Sequence, residues 1–185
     1  KAQNVLENLP FRNVASWNAL IAGYAQQGQL NEALNCYEQM QREGLSPNAI
    51  TLLSVLSACS HSGLLEEAQM LFGNMMRKYD MIPELEHHTC MVAVLGCAGH
   101  FDKAMSVIEV MPHNSYPAVW LSLLGACRKW GNVKLGILAF DQSLQLDHTC
   151  ATAYILMANI FAAAGLREDA ENLETMRMKY ATSQE

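Results

Sequence analysis

The side chains with the most chemistry in this chain are six cysteines and six histidines. The thiols are Cys36, Cys59, Cys90, Cys97, Cys127 and Cys150. None forms a C-x-x-C pair, and no histidine stands at finger-like spacing beside paired cysteines, so a tetrahedral zinc site is not expected. A long, apolar chain does not need disulfides, and buried reduced thiols are the expected state. No glycine-rich phosphate loop and no nucleophile elbow occur either. Nothing in these residues builds a catalytic or metal centre, and no cofactor is implied. Arg128, Lys129 and Lys134 form a local basic cluster that could touch a phosphate, although a solvated helix end accounts for it more simply.

The bulk properties narrow the function classes. Of 185 residues, 51% are hydrophobic and 16% charged, which suits a folded chain with a real core. The purely apolar runs, such as Met91 to Leu95, are too short to cross a bilayer, so no membrane partner is expected. The formal net charge is −6. Residues 1–116 carry six basic against eleven acidic side chains, and residues 117–185 six against seven. A surface that wraps nucleic acid by generic electrostatics is usually basic, so this segment alone should bind RNA weakly. The start, Lys1-Ala2-Gln3-Asn4-Val5-Leu6, reads as the middle of an amphipathic helix, as in a piece of a longer protein.

The elements that must carry any site are repeated. Gly28, Gly63, Gly99, Gly131 and Gly165 are spaced 35, 36, 32 and 34 residues apart. Five residues after each stands a small residue: Ala33, Ala68, Ala104, Gly136 and Ala170. Eleven before each stands a large one: Trp17, Leu52, His88, Trp120 and Tyr154. Apolar residues on both sides of each glycine recur three and four apart, which is helical spacing. Each glycine sits where a helix ends in a left-handed cap. Acidic or capping residues follow (Asn31-Glu32, Glu66-Glu67, Asp102), against the positive end of the next helix. The pattern predicts five helical hairpins whose apolar faces are buried only by stacking on their neighbours. The fold class is all-α, a right-handed α-solenoid of tetratricopeptide-like helix-turn-helix repeats. Trp17, Trp120 and the methionines (eleven in all) are read as packing residues.

The segment Val14-Ala15-Ser16-Trp17-Asn18-Ala19-Leu20-Ile21, followed by Gly28, Glu32-Ala33-Leu34 and Pro47-Asn48, resembles a pentatricopeptide repeat. Val55 to Gly63 resembles the long variant and Leu85 to Pro112 the short one, a mixture that resembles the plant PLS subfamily. Ala118 to Val133 and Tyr154 to Gly165 resemble the two extension (E) motifs that follow such arrays. The resemblance implies this organisation: 1–13 the end of a short repeat, 14–48 a repeat, 49–84 a long repeat, 85–116 a short repeat, 117–150 and 151–185 the extension motifs.

The resemblance also implies a role and a site. The role is sequence-specific recognition of single-stranded RNA in chloroplast or mitochondrion, by a factor that directs C-to-U editing. Two side chains per unit read one base: Asn18 with Asn48, Leu53 with Glu84, Thr89 with Tyr116. An Asn amide both donates and accepts, so it can read a base edge, and Asn18 with Asn48 implies a pyrimidine. Leu53 cannot hydrogen-bond, and Tyr116 replaces the usual Asn or Asp. Ala15, Ile50 and Glu86 hold the positions that sandwich bases. Helix-start and turn roles for Asn18 and Asn48 are the simpler alternative.

The family's DYW-type cytidine deaminase needs His-x-Glu and Cys-x-x-C. His87-His88-Thr89 and His148-Thr149-Cys150 supply neither, so catalysis is expected from a deaminase domain in cis or in trans, aided by accessory editing factors. An adaptor solenoid that holds a protein partner is the competing reading, and an intact protein that carries its own deaminase is a third. Exposed solenoid ends would allow a dimer.

Overall fold

The computed structural model describes residues 13–111 and 117–182. Among them are ten helices and no strand: α1 Val14–Gln26, α2 Leu30–Arg42, α3 Ala49–Ser62, α4 Leu65–Tyr79, α5 Leu85–Cys97, α6 Phe101–Val110, α7 Pro117–Trp130, α8 Val133–Leu146, α9 Ala151–Ala163 and α10 Arg167–Thr182. The chain divides into two compact units, 1–94 and 95–185, with the boundary inside α5.

The hairpin turns follow from backbone chemistry. All five aligned glycines take positive φ, from +64° to +83°. Gly63 (φ +73°) shows why: it ends α3 in the left-handed region, its flank Leu64 donates back to the Cys59 carbonyl, and any L side chain there would be strained. The acidic residues that follow stand at the helix starts, as expected. Gln29, Leu64 and His100 precede α2, α4 and α6 without a side-chain cap bond, while Glu32, Glu66, Glu67 and Asp102 lie in the first turns. They favour those helices through the macrodipole, not as caps.

In the first unit, α1 packs on both α2 and α3, and α3 on α2 and α4. Trp17, Ile21, Leu52, Leu56 and Met40 fill the interior. The second helices of the first two hairpins, α2 and α4, are joined by a polar chain. Tyr37 and Tyr79 hydroxyls meet at 3.0 Å, and the Tyr79 hydroxyl and Lys78 ammonium both donate to Gln41 Oε1 at 3.0 Å. Burial pushes the Tyr37 phenol well above its ordinary value. In the second unit, α7, α8 and α9 pack on one another and α10 on α9. Phe140 meets the Tyr154 ring edge-on at 5.3 Å. The column of small residues has a steric cause at Gly136, where a Cβ would stand 3.1 Å from Ile160 Cδ1.

Trp17 and Trp120 are buried, which matches a packing role. His88 departs from its column: it is half-buried, edge-on to Phe72 at 5.2 Å, while His87 takes the interior. The methionines divide. Met40, Met75, Met91 and Met157 are core, but Met70, Met76, Met176 and Met178 are exposed. The described cysteines are free thiols, and burial raises Cys59, Cys90 and Cys127 to about 11, so each stays protonated at neutral pH.

Candidate nucleic-acid interface

The paired candidates Asn18 and Asn48 meet. Asn18 Nδ2 donates to Asn48 Oδ1 at 3.0 Å across 30 residues of sequence. A third residue, Thr51, locks both. Its buried hydroxyl donates to Asn18 Oδ1 at 2.5 Å and accepts the Asn48 backbone N–H at 3.1 Å. Asn48 Oδ1 in turn accepts the Thr51 N–H at 3.0 Å. These bonds fix the amide orientations. A hydroxyl has one proton, and with Asn18 Oδ1 taking it the network is complete. Asn48 turns its oxygen inward and leaves its Nδ2 donors towards solvent, with no acceptor among the described residues.

Asn48 is also the N-cap of α3, in a capping box with Thr51. The helix-start role considered from sequence therefore holds for Asn48, together with its contact to Asn18. The same device opens α1, where Asn13 Oδ1 accepts the Ser16 N–H and Ser16 Oγ accepts the Asn13 N–H. It recurs in altered form at α5. The Glu84 N–H donates to Nδ1 of buried His87 at 3.1 Å, and Nε2 of that ring, 3.0 Å from the Ala49 carbonyl, carries its proton. Ser16, Thr51 and His87 each close a helix-start hydrogen-bond pattern that sequence reasoning passed over. The spacing Asn-x-x-Ser and Asn-x-x-Thr could have signalled two of them. Nothing local signals His87.

The other candidates are not joined in this way. Leu53 is half-buried and lines a recess of about 210 Å³ with Ala22, Ala25, Gln26, Ser54, Ser57 and His61. Glu84 is exposed and takes part through its backbone. The Thr89 hydroxyl donates to the Leu85 carbonyl of its own helix at 2.8 Å. Tyr116 lies outside the described residues. Ala15, Ile50 and Glu86 are all exposed on the first turns of α1, α3 and α5, with Ile50 at 61% an unusually open isoleucine.

A PPR repeat family model matches residues 12–61, and a PPR repeat model matches 50–79 and 86–116, together more than half of the chain. The chain belongs to the pentatricopeptide repeat family. Similar curated relatives come from Arabidopsis thaliana. Pentatricopeptide repeat-containing protein At4g16470 is 44% identical over 169 residues, 91% of this chain and 34% of that protein. Protein At1g62260, mitochondrial, is 40% identical over 91% of this chain and 26% of its own length. CRR2, chloroplastic, is 38% identical over 94% and 26%. The pentatricopeptide repeat chain thus spans about a third or less of these relatives. The names of the last two bear out the expected organellar placement. Among solved structures, pentatricopeptide repeat protein PPR10 in complex with an 18-nt psaJ RNA element matches with a TM-score of 0.76 and 16% identity, over 99% of this chain and 28% of that one. MamA residues 41-end from Desulfovibrio magneticus RS-1 matches with a TM-score of 0.62 and 16% identity, over 93% and 97%. Both show the fold, an all-α helical-repeat solenoid.

Proposed function

We propose that this pentatricopeptide repeat segment recognises single-stranded RNA as part of an organellar C-to-U editing factor, and helps to place a target cytidine before a deaminase outside these residues. The observation that carries it is the Asn18–Asn48 contact: the two side chains at reading positions touch, are oriented by Thr51, and leave the Asn48 amide donors free. A fixed donor of this kind suits the O2 carbonyl that both pyrimidines carry, and its fixed orientation reduces the entropy cost of binding. The exposed Ala15, Ile50 and Glu86 stand one turn nearer the helix start, where bases would stack between units. PPR10, which shares this fold, is held in complex with an 18-nt RNA element, and that supports the reading. The 14–48, 49–84, 85–116, 117–150 and 151–185 organisation belongs to the same proposal, with the last two as extension motifs. The segment's own chemistry is binding, and the deaminase and accessory factors are its proposed partners.

A second reading has its own observation. Ile137 and Leu138 on α8 and Ile155 on α9 are exposed apolar residues in the second unit. They suit a protein partner, and an adaptor role would rest on them.

The test is fluorescence anisotropy of the full-length protein on pyrimidine-rich and purine-rich single strands. Asn48→Ser keeps a helix cap but removes the amide. Loss of pyrimidine preference in Asn18→Ala and Asn48→Ser supports the reading. Unchanged preference in both variants, or no RNA binding by the wild type, moves the function to the adaptor.

A further inference from the structure

Trp130 is the most exposed aromatic ring whose surroundings the structure defines on several sides. It ends α7 with 53% of its surface open, while Trp17 and Trp120 are buried. Its position is nonetheless held. The indole Nε1–H donates to the Cys97 carbonyl at 3.2 Å, across 33 residues. The ring lies against Gly99, where a Cβ would come within 3.1 Å of Cζ2 and 3.3 Å of Cε2. Lys129 Nζ donates to the same Cys97 carbonyl at 2.9 Å and stands 5.9 Å from the ring centroid. A large apolar ring held by its N–H and by Gly99 against one face, yet half open to water, loses burial energy that folding would normally recover.

The charge around it is unlike the rest of the chain. The protein is acidic overall, yet no Asp or Glu occurs between Glu109 and Asp141. Arg128, Lys129 and Lys134 fall within seven residues of one another in that stretch. Arg128 and Lys134 are exposed and pair with no carboxylate among the described residues. Cations at the end of α7 would favour its macrodipole, but that role does not call for an open indole beside them. A held aromatic face with unpaired cations within four residues of it in sequence is a pairing that suits a single-stranded nucleotide: the base stacks and the phosphate is neutralised, with little regard for base identity.

We propose that Trp130 is a stacking platform for one nucleobase of single-stranded RNA, with Arg128 and Lys134 meeting the adjoining phosphates. This assignment rests on the RNA reading above and adds to it a contact that holds RNA without reading its sequence. Lys129 serves as a positioning residue, since its ammonium is engaged with Cys97.

The experiment uses the full-length protein and single-stranded RNAs of pyrimidine-rich and purine-rich sequence, with Asn18→Ala run in parallel. Trp130→Ala should weaken both RNAs by on the order of tenfold, and Trp130→Phe should keep most of the affinity. Arg128→Gln with Lys134→Gln should flatten the salt dependence by about two phosphate contacts. Ultraviolet crosslinking should place RNA on the peptide that contains residue 130. If Asn18→Ala changes binding while Trp130→Ala leaves affinity and crosslinks unchanged, the platform is overturned and the RNA reading stands. If the wild type binds no RNA, both fall. If Trp130→Phe loses as much as Trp130→Ala and both melt earlier than wild type, the ring is structural and the platform is overturned.

Discussion

Thr51→Val tests the lock on the Asn18–Asn48 pair, the proposed readers, with almost no change of shape. The wild-type hydroxyl donates to Asn18 Oδ1 and accepts the Asn48 N–H, and the residue is fully buried. Two hydrogen bonds at about 1 kcal/mol each are lost, and Asn18 Oδ1, on a residue only 8% exposed, is left dry at a further cost of about 1–3 kcal/mol. The added methyl regains about 0.8 kcal/mol. The expected net destabilisation is therefore about 2–4 kcal/mol. Thr51→Ser keeps the hydroxyl and loses only a methyl, at about 1 kcal/mol. Urea unfolding followed by circular dichroism, with native hydrogen exchange at Asn48 and Thr51 amides, separates the two variants. The order Val worse than Ser is the critical result, because hydrophobicity alone predicts the reverse. If Thr51→Val is as stable as wild type, or more stable than Thr51→Ser, the hydroxyl does not hold the pair. In RNA binding, Thr51→Val should lose base preference while the salt dependence is unchanged, since the orientation of Asn18, and through it that of Asn48, is released.

His87→Ala should cost about 2–4 kcal/mol, because it opens a cavity, orphans the Glu84 N–H and removes the ring's bond to the Ala49 carbonyl; His87→Gln should recover part of this, as read from thermal melts. Gly23→Ala should stabilise by about 0.5–1 kcal/mol, since nothing stands within 4 Å of its added Cβ inside α1, whereas Gly63→Ala, at φ +73°, should destabilise by about 1–2 kcal/mol; matched urea titrations give the two opposite signs. Cys59, Cys90 and Cys127 are raised to about 11 from 9.0, so the unfolded chain gives up these protons first. Their contribution to stability is complete below about 9 and is lost as pH rises to about 11, so the urea midpoint should fall across that window, and less so in a variant with all three changed to Ala.

What was legible in the sequence was what local chemistry dictates. Gly28, Gly63, Gly99, Gly131 and Gly165 could be aligned because a left-handed turn selects glycine whatever surrounds it. Asn18 and Asn48 were found by resemblance, since no periodicity marks an amide as a reader. The Thr51 lock was within reach, because the capping spacing is local. His87 was not: its partner Ala49 lies 38 residues away, and histidine has no rule at that helix position. The hold on Trp130 was equally hidden, because it runs to a backbone carbonyl 33 residues upstream. Acidic residues after the glycines suggested acidic or capping groups at the positive helix end, and the acidic role is the one that holds, without a side-chain cap bond. Side-chain type predicts attraction to a helix start, but whether a cap bond forms depends on backbone angles that the sequence does not print.

Asn48 belongs to two neighbours at once: it ends one unit as a candidate reader and begins the next unit's helix as its cap. On the proposed reading, the coding vocabulary at this position is thereby restricted by folding. A substitution that would suit a different base but cannot start a helix, such as a long aliphatic or an aromatic side chain, weakens the following hairpin even as it alters the message. On that reading, drift in target choice is channelled through the short list Asn, Asp, Ser and Thr, and an engineer rewriting residue 48 inherits the same alphabet.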